Sequence, residues 1–177
     1  MLKRDLEQDA HDRAKVAGEI AELLHDACGQ TRDLARGLSP VDRDEGGLES
    51  ALDELASRAS RLAGISCSFL CPEPVQILDN ASAMHLFRIA QESLNNATKH
   101  GHAKAVVIAL ESTNDIISLR VSDDGIGFDP IRSAGRGMGL NIMHYRARMI
   151  GGILEVQPSS PSGTIVTCTI ERSPKLN

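Results

Sequence analysis

The chain has 177 residues and a formal net charge of −5, which suits one domain of ordinary size with an appendage. The acidic balance offers no attraction to phosphate backbones, and a chain without Trp and with one Tyr has no stacking surface for bases, so we expect no nucleic-acid partner. No apolar run approaches the length of a membrane span and no signal-peptide core follows Met1, so we expect a cytoplasmic segment without membrane contact.

The first segment, residues 1–40, has the pattern of one long helix. Apolar residues recur every three or four positions from Val16 to Leu38, and a lone helix cannot bury such a stripe against itself. We therefore predict a homodimer through this helix, with packing against its own domain as the alternative. Ser39-Pro40 ends the helix, and the charged stretch 41–47, which finishes in two glycines, is the predicted linker.

Residues 48–172 alternate between helical and strand patterns. The spacing of apolar residues predicts helices at 48–62, 83–100 and 140–150 and strands at 65–70, 104–112, 116–122, 153–157 and 164–171. Asp79-Asn80 offers an N-cap for the central helix. Prolines after the first strand indicate that this strand lies at a sheet edge or ends there. The prediction is an α/β fold with a mixed sheet of about five strands, covered on one face by three helices, and a polar tail at 173–177.

The central helix, 83–100, carries two distinct faces. Its apolar stripe, which can face a core, consists of Leu86, Phe87, Ala90, Leu94 and Ala97. On another face Glu92, Asn96 and Lys99 follow one another at a spacing of about one turn. An acid, an amide and an amine in this order suit a site that holds a metal together with a polyanion. An ordinary solvated face would have the same composition.

Two glycine-rich stretches follow, Asp123 to Phe128 (DDGIGF) and Gly135 to Leu140 (GRGMGL). Asp123 ends a strand, where a carboxylate can accept a hydrogen bond from an amino group such as that of adenine, and the glycines allow close approach of the base. The second stretch opens a helix, whose free N–H groups suit phosphates. It matches neither a P-loop nor a dinucleotide fingerprint. The intervening residues 129–135 are predicted to form a mobile lid.

With the segment QESLNNATKH at 91–100, these stretches resemble the N, G1 and G2 boxes of the ATP-binding domain shared by sensor histidine kinases, gyrase, Hsp90 and MutL. The resemblance covers roughly residues 46–171 and points to histidine kinases of the NarX, DesK and LiaS type. It implies a two-layer α/β sandwich that holds the nucleotide between helices and lid. It also implies transfer of the γ-phosphoryl group of Mg·ATP to a histidine in two-component signalling.

The resemblance implies roles for individual residues. Glu92 would orient or deprotonate the attacking imidazole, Asn96 would bind magnesium, and Asp123 would read the adenine. The expected ATP-binding residues are Asn96, Lys99, His100, Asp123, Gly125, Gly127, Arg136, Gly137, Met138, Gly139, Leu140 and Thr164. ATP and Mg²⁺ are therefore the expected ligands, and a response regulator is the expected protein partner.

Two sources of the phosphoacceptor histidine fit the sequence. The stretch Glu19–Gln30 is similar to the family's phosphoacceptor box and would make His25 the acceptor. In the family, that box opens the first of two antiparallel helices, whereas Leu38 follows His25 by only 13 residues. We therefore interpret residues 1–40 as the second helix of that hairpin, with the acceptor outside this chain. His25, and less so His11, is the alternative.

Three other functions share these boxes. An ATPase of the gyrase or Hsp90 type needs a transducer domain after the ATP site, and a serine kinase of the anti-sigma type does not account for the long first helix. A non-catalytic ATP-binding module is expected to have lost box residues, whereas Glu92, Asn96, Asp123 and the box glycines are all present. The histidine kinase is therefore the preferred function.

Overall fold

The computed structural model describes residues 47–77, 79–127 and 138–171. These ranges contain the helices α1 (Gly47–Ala63), α2 (Asn80–Lys99) and α3 (Met138–Met149) and the strands β1 (Ser66–Leu70), β2 (Ala105–Thr113), β3 (Ile116–Asp123), β4 (Ile153–Pro158) and β5 (Thr164–Glu171). Each of the described helices is too short or too polar to cross a lipid bilayer. The predicted first helix with His11 and His25, the lid and the polar tail lie outside the described residues.

The five strands form one mixed sheet in the order β1-β2-β3-β5-β4. β1 pairs with β2 in parallel, and the other neighbouring pairs are antiparallel. Two parallel neighbours need a crossover connection, and α2 lies in the connection between β1 and β2. β1 is an edge strand, as the prolines at 72 and 74 predicted.

One face of this sheet is buried because apolar residues alternate along the strands. Leu119 on β3 pairs with Leu110 on one side and with Cys168 on the other, and all three are at most 1% exposed. The helices cover this face: α1 contacts β1 and β2, α2 contacts β2, β3 and β5, and α3 contacts β4 and β5. The two-layer α/β sandwich that the resemblance implies is therefore confirmed.

α2 is the central helix of this layer. Asp79 is its N-cap, and its carboxylate accepts a hydrogen bond from the N–H of Ser82 at 2.7 Å. The stripe predicted to face a core is at most 7% exposed at all five positions, Leu86, Phe87, Ala90, Leu94 and Ala97. The helix ends where the N–H groups of His100 and Gly101 both donate to the carbonyl of Asn96 at 2.9 Å. Burial of one side of α2 thus directs its polar residues toward the margin of the core.

α2 and α3 pack against each other through a buried contact. The hydroxyl oxygen of Ser93 lies 2.8 Å from the carbonyl oxygen of Ile89 and 3.4 Å from the sulfur of Met143 on α3, and Met143 is 2% exposed. Ser93 directly follows Glu92 in the chain. The contact therefore fixes α3 beside the part of α2 that carries this carboxylate.

One polar atom is buried without a hydrogen-bond partner in the described part of the chain, the Nδ1 of His85 on α2. Burial is the main cause that lowers the pKa of His85, and the positive charge of Arg146 on α3 lowers it further, while Asp79 acts in the opposite direction. The folded state therefore favours the neutral imidazole.

The chain is expected to lose stability as the pH falls through the usual pKa of histidine, 6.5. Because the pKa of His85 is lower in the folded chain, the unfolded chain binds the proton first, and protonation favours unfolding. In His85→Gln this contribution disappears. We expect the urea midpoint to fall more between about pH 7.5 and about pH 5.5 in the wild type than in the variant, whereas equal falls would exclude His85 as a source of the pH dependence.

Candidate functional site

The candidate site begins on the second half of α2, where the predicted polar face lies beside the buried stripe. Glu92 and Asn96, four residues apart, lie on one side of the helix and are partly buried. Lys99 and His100, at the end of the helix, are exposed. A carboxylate and an amide thus lie at the margin of the core, with two basic side chains on the solvent side.

Glu92 reaches the first turn of α3. A methyl group on Gly139 would overlap the Oε1 atom of Glu92 and lie 3.1 Å from its Cδ. The carboxylate therefore occupies space that is open only because residue 139 has no side chain. The N–H groups at the start of a helix favour negative charge, so this end of α3 suits both a carboxylate and a phosphate. The fold here joins two predicted site residues that are distant in sequence.

The loop 123–127 begins where β3 ends. The Oδ1 of Asp123 accepts a hydrogen bond from the N–H of Gly125 at 2.8 Å, which closes a tight turn. Asp123 is partly exposed. A carboxylate has about four lone-pair positions, so the bond to Gly125 leaves capacity to accept from an amino group of a ligand.

This loop is held against the end of α2. The N–H of Ile126 donates to the carbonyl of Gly101 at 2.9 Å. A methyl group on Gly125 would overlap the same carbonyl oxygen, so only a residue without a Cβ fits there. The loop that begins with Asp123 is therefore attached, through Gly101, to the end of α2 that carries Asn96 and Lys99.

Gly163 closes the other side of the loop. Its φ is +107°, and a methyl group on it would overlap the carbonyl oxygen of Asp123. A methyl group on Gly127 would lie 3.2 Å from the carbonyl oxygen of Gly163. Thr164 follows as the first residue of β5. Gly163 and the predicted site residue Thr164 are thus next to Asp123, at the start of a neighbouring strand.

Contacts at two places bring predicted site residues together. Glu92 lies against Gly139, and the loop at 123–127 lies against both Gly101 and Gly163. Leu140 packs against the hydrophobic core and is partly buried. Arg136, Gly137 and the side chain of Met138 lie outside the described residues. The roles assigned to these residues remain predictions.

A magnesium ion suits this set of side chains only when a nucleotide accompanies it. Within residues 47–77, 79–127 and 138–171, no group of three or more His, Cys, Asp or Glu could hold a metal ion by itself. Mg²⁺ is commonly held by one or two protein oxygens together with phosphate oxygens and water. The amide oxygen of Asn96 is a ligand of this kind, so the donor set fits the expected ion.

Asp124 is not among the site residues predicted from the sequence. Its Oδ1 accepts hydrogen bonds from the backbone N–H groups of Lys104 and Ala105, at 2.8 Å each. The bond from Ala105, followed by the one from Lys104, lowers the pKa of this carboxyl group. Two adjacent aspartates before a glycine indicate a turn, but nothing in that pattern distinguishes the second carboxylate from the first.

Replacing Gly163 should cost more stability than replacing Gly151. Both glycines have positive φ, which alanine adopts only at a backbone cost of roughly 1–3 kcal/mol. A methyl group on Gly151 meets nothing within 4 Å, whereas one on Gly163 overlaps the backbone of Asp123. We expect Gly163→Ala to lower the free energy of unfolding by the larger amount in urea denaturation. Equal losses would contradict the close contact between the two backbones.

The chain is similar to proteins of one known class. A family model described as "Histidine kinase-, DNA gyrase B-, and HSP90-like ATPase" matches residues 81–174. The sensor histidine kinase MctS of Rhizobium johnstonii is 31% identical over 96% of this chain, and the nitrate/nitrite sensor protein NarQ of Escherichia coli is 28% identical over 94%. The sensor histidine kinase LiaS of Bacillus subtilis is 31% identical over 95%. The chain spans only 37%, 30% and 46% of these relatives, respectively.

Solved structures share the fold. The histidine kinase domain of a blue-light activated kinase from Erythrobacter litoralis has a TM-score of 0.59 at 23% identity, over 81% of this chain and 69% of that one. The ATP binding domain of PrrB from Mycobacterium tuberculosis also has a TM-score of 0.59, at 22% identity, over 68% of this chain and 90% of that domain. The helix layer over a mixed sheet therefore has counterparts among solved kinase domains.

Proposed function

Because the chain belongs to the histidine kinase-, DNA gyrase B- and HSP90-like ATPase family and matches sensor histidine kinases along almost its whole length, we propose that its site binds Mg·ATP and delivers the γ-phosphoryl group to a histidine. One observation carries the proposal: the loop after β3 and the first turn of α3, which are distant in sequence from α2, both contact the second half of α2 or a residue just after it. Glu92 lies against Gly139, and Gly125 lies against Gly101 at the end of α2.

The base would bind at the end of β3. The Asp123 carboxylate would accept a hydrogen bond from the exocyclic amino group of adenine. Guanine carries a carbonyl oxygen at that position, which cannot donate and would face the carboxylate as a second acceptor. A site built around such a contact rejects the wrong base strongly, because its own polar group is left unpaired. We therefore expect a preference for ATP over GTP.

The phosphates would lie between α2 and the start of α3. The free N–H groups of the first turn of α3 attract anions, and Lys99 and His100 add basic groups at the end of α2. Asn96 would hold the magnesium ion through its amide oxygen. When bound, the ion neutralises charge on the phosphate oxygens. The residues of α2 and α3 thus provide positioning and charge, which are what phosphoryl transfer chiefly requires.

Glu92 would act on the incoming histidine. In the transfer, an imidazole nitrogen forms a bond to the γ-phosphorus while the bond from that phosphorus to the bridging oxygen of ADP breaks. The imidazole must also lose or reorient a proton, and a carboxylate at the edge of the phosphate site can accept it or fix the tautomer. The position of Glu92 at the first turn of α3 supports this role.

The proposal extends to the partners of the chain. The acceptor histidine would lie outside this chain, with residues 1–40 forming the second helix of a dimeric hairpin and His25 as the alternative acceptor. The phosphoryl group would pass on to a response regulator in the cytoplasm. Support comes from the relatives, which are named as sensor kinases or as sensor proteins.

Two neighbouring asparagines provide a matched test of the magnesium assignment. Asn96 is partly buried beside Glu92, whereas Asn95 is exposed on the same helix. We expect Asn96→Ala to weaken binding of Mg·ATP at least about tenfold and Asn95→Ala to change it by less than about twofold. Calorimetric titration with ATP measures both, once with Mg²⁺ and once with a chelator.

The chelator separates the possible outcomes of this test. Asn96→Ala should behave with Mg²⁺ much as the wild type behaves without it, because the variant lacks only the metal ligand. Unchanged Mg·ATP binding by Asn96→Ala would remove Asn96 from the proposed site. A wild-type chain that binds no ATP would refute the proposed function as a whole.

A further inference from the structure

Two adjacent aspartates at the end of β3 have different partners. The Oδ1 of Asp123 accepts from the N–H of Gly125, within its own loop. The Oδ1 of Asp124 reaches across to the start of β2 and accepts from the N–H groups of Lys104 and Ala105. The second carboxylate therefore connects two elements, whereas the first belongs to the proposed site.

The bonds of Asp124 replace a backbone bond that the sheet lacks at this point. The N–H of Asp124 still donates to the carbonyl of Ala105 at 3.2 Å, one step beyond the last pair of β2 and β3. In a regular antiparallel pair the carbonyl of Asp124 would accept from Ala105 in return. That carbonyl oxygen lies instead 3.4 Å from the hydroxyl of Ser162. The side-chain oxygen of Asp124 takes its place on the N–H of Ala105.

Because a side-chain bond replaces the backbone bond, the chain can leave the sheet immediately after Asp123. Because the carboxylate holds the N–H groups of Lys104 and Ala105, the carbonyl group of residue 124 is free to turn toward the β4–β5 connection, where Gly163 contacts Asp123. The turn then brings Gly125 onto Gly101. The turn thus begins at Asp123, whose carboxylate accepts from Gly125 within it.

We propose that Asp124 is a positioning residue for base recognition: by holding the backbone N–H groups of Lys104 and Ala105, it sets the point where β3 ends and so directs the Asp123 carboxylate. The inference rests on the proposed function, because it assigns Asp123 to the base. Asp124 is exposed, so a substitution there leaves no cavity in the core.

Three substitutions of Asp124 separate geometry from charge. Asp124→Asn loses the charge but keeps an acceptor oxygen at the same distance from the backbone. Asp124→Glu keeps the charge but moves its oxygens outward by one carbon. Asp124→Ala loses both. Asp53→Ala, at an exposed position on α1, serves as the control for loss of one negative charge far along the chain from the loop.

The measurements are the affinities for Mg·ATP and Mg·GTP, by calorimetry on the full chain, and the urea midpoint of each variant. We expect Asp124→Ala and Asp124→Glu to weaken ATP binding about tenfold and to narrow the preference for ATP over GTP. Asp124→Asn and Asp53→Ala should stay within about threefold of the wild type. If Asp124 only stabilised the fold, its variants would shift the urea midpoint but leave the preference of the folded chain for ATP over GTP unchanged.

Several outcomes would overturn the inference. The inference would be wrong if both Asp124→Ala and Asp124→Glu kept the wild-type affinity for ATP and the wild-type preference for ATP over GTP. It would also be wrong if Asp124→Asn lost affinity for ATP and Asp124→Glu did not, because charge would then be the cause. If Asp124→Ala does not fold, the comparison of the Asn and Glu variants decides. Failure of the wild type to bind ATP refutes the proposed function, whereas normal binding by the wild type and all variants refutes this inference alone.

Discussion

The site depends on backbone segments that touch without side chains between them. At the end of β3, Gly125 lies on the carbonyl of Gly101, and Gly163 lies on the carbonyl of Asp123. A Cβ at Gly125 or Gly163 would separate the loop from α2 or from the start of β5. Because these contacts involve backbone atoms, they hold the backbone of the loop against the end of the helix that carries Asn96.

α2 links these contacts to the proposed site, because one of its sides packs in the core and another carries the polar residues. The side with Leu86 and Ala90 is fully buried against the sheet. The Ser93–Met143 contact aligns α2 with α3, so that Glu92 meets the first turn of α3 at Gly139. Apolar burial thus holds in place polar groups whose own interactions with one another contribute little stability. The same packing that stabilises the domain therefore sets the geometry proposed for phosphoryl transfer.

Local patterns predicted the elements well, and tertiary contacts explain what they missed. The strand 164–171 was predicted correctly, and the N-cap is Asp79, the first residue of the predicted pair Asp79-Asn80, because alternation and capping are local signals. The family, the fold class and the histidine kinase resemblance are confirmed. α2 begins at Asn80 rather than Ala83, since few apolar residues mark its first turn. The bonds of Asp124 join positions 19 and 20 residues apart, which no local pattern can show.

The measurement that tests the account most directly is a map of backbone amide chemical shifts on addition of Mg·ATP to the isotopically labelled chain. If the end of α2, the loop after β3 and the first turn of α3 form one nucleotide site, the largest changes should include Asn96, Gly125 and Gly139. Residues on the other face of the sheet, such as Arg120 and Glu155, should change little. Saturable changes centred on that other face would contradict the account. So would the absence of any change at ATP concentrations that saturate the ATP sites of other members of this family.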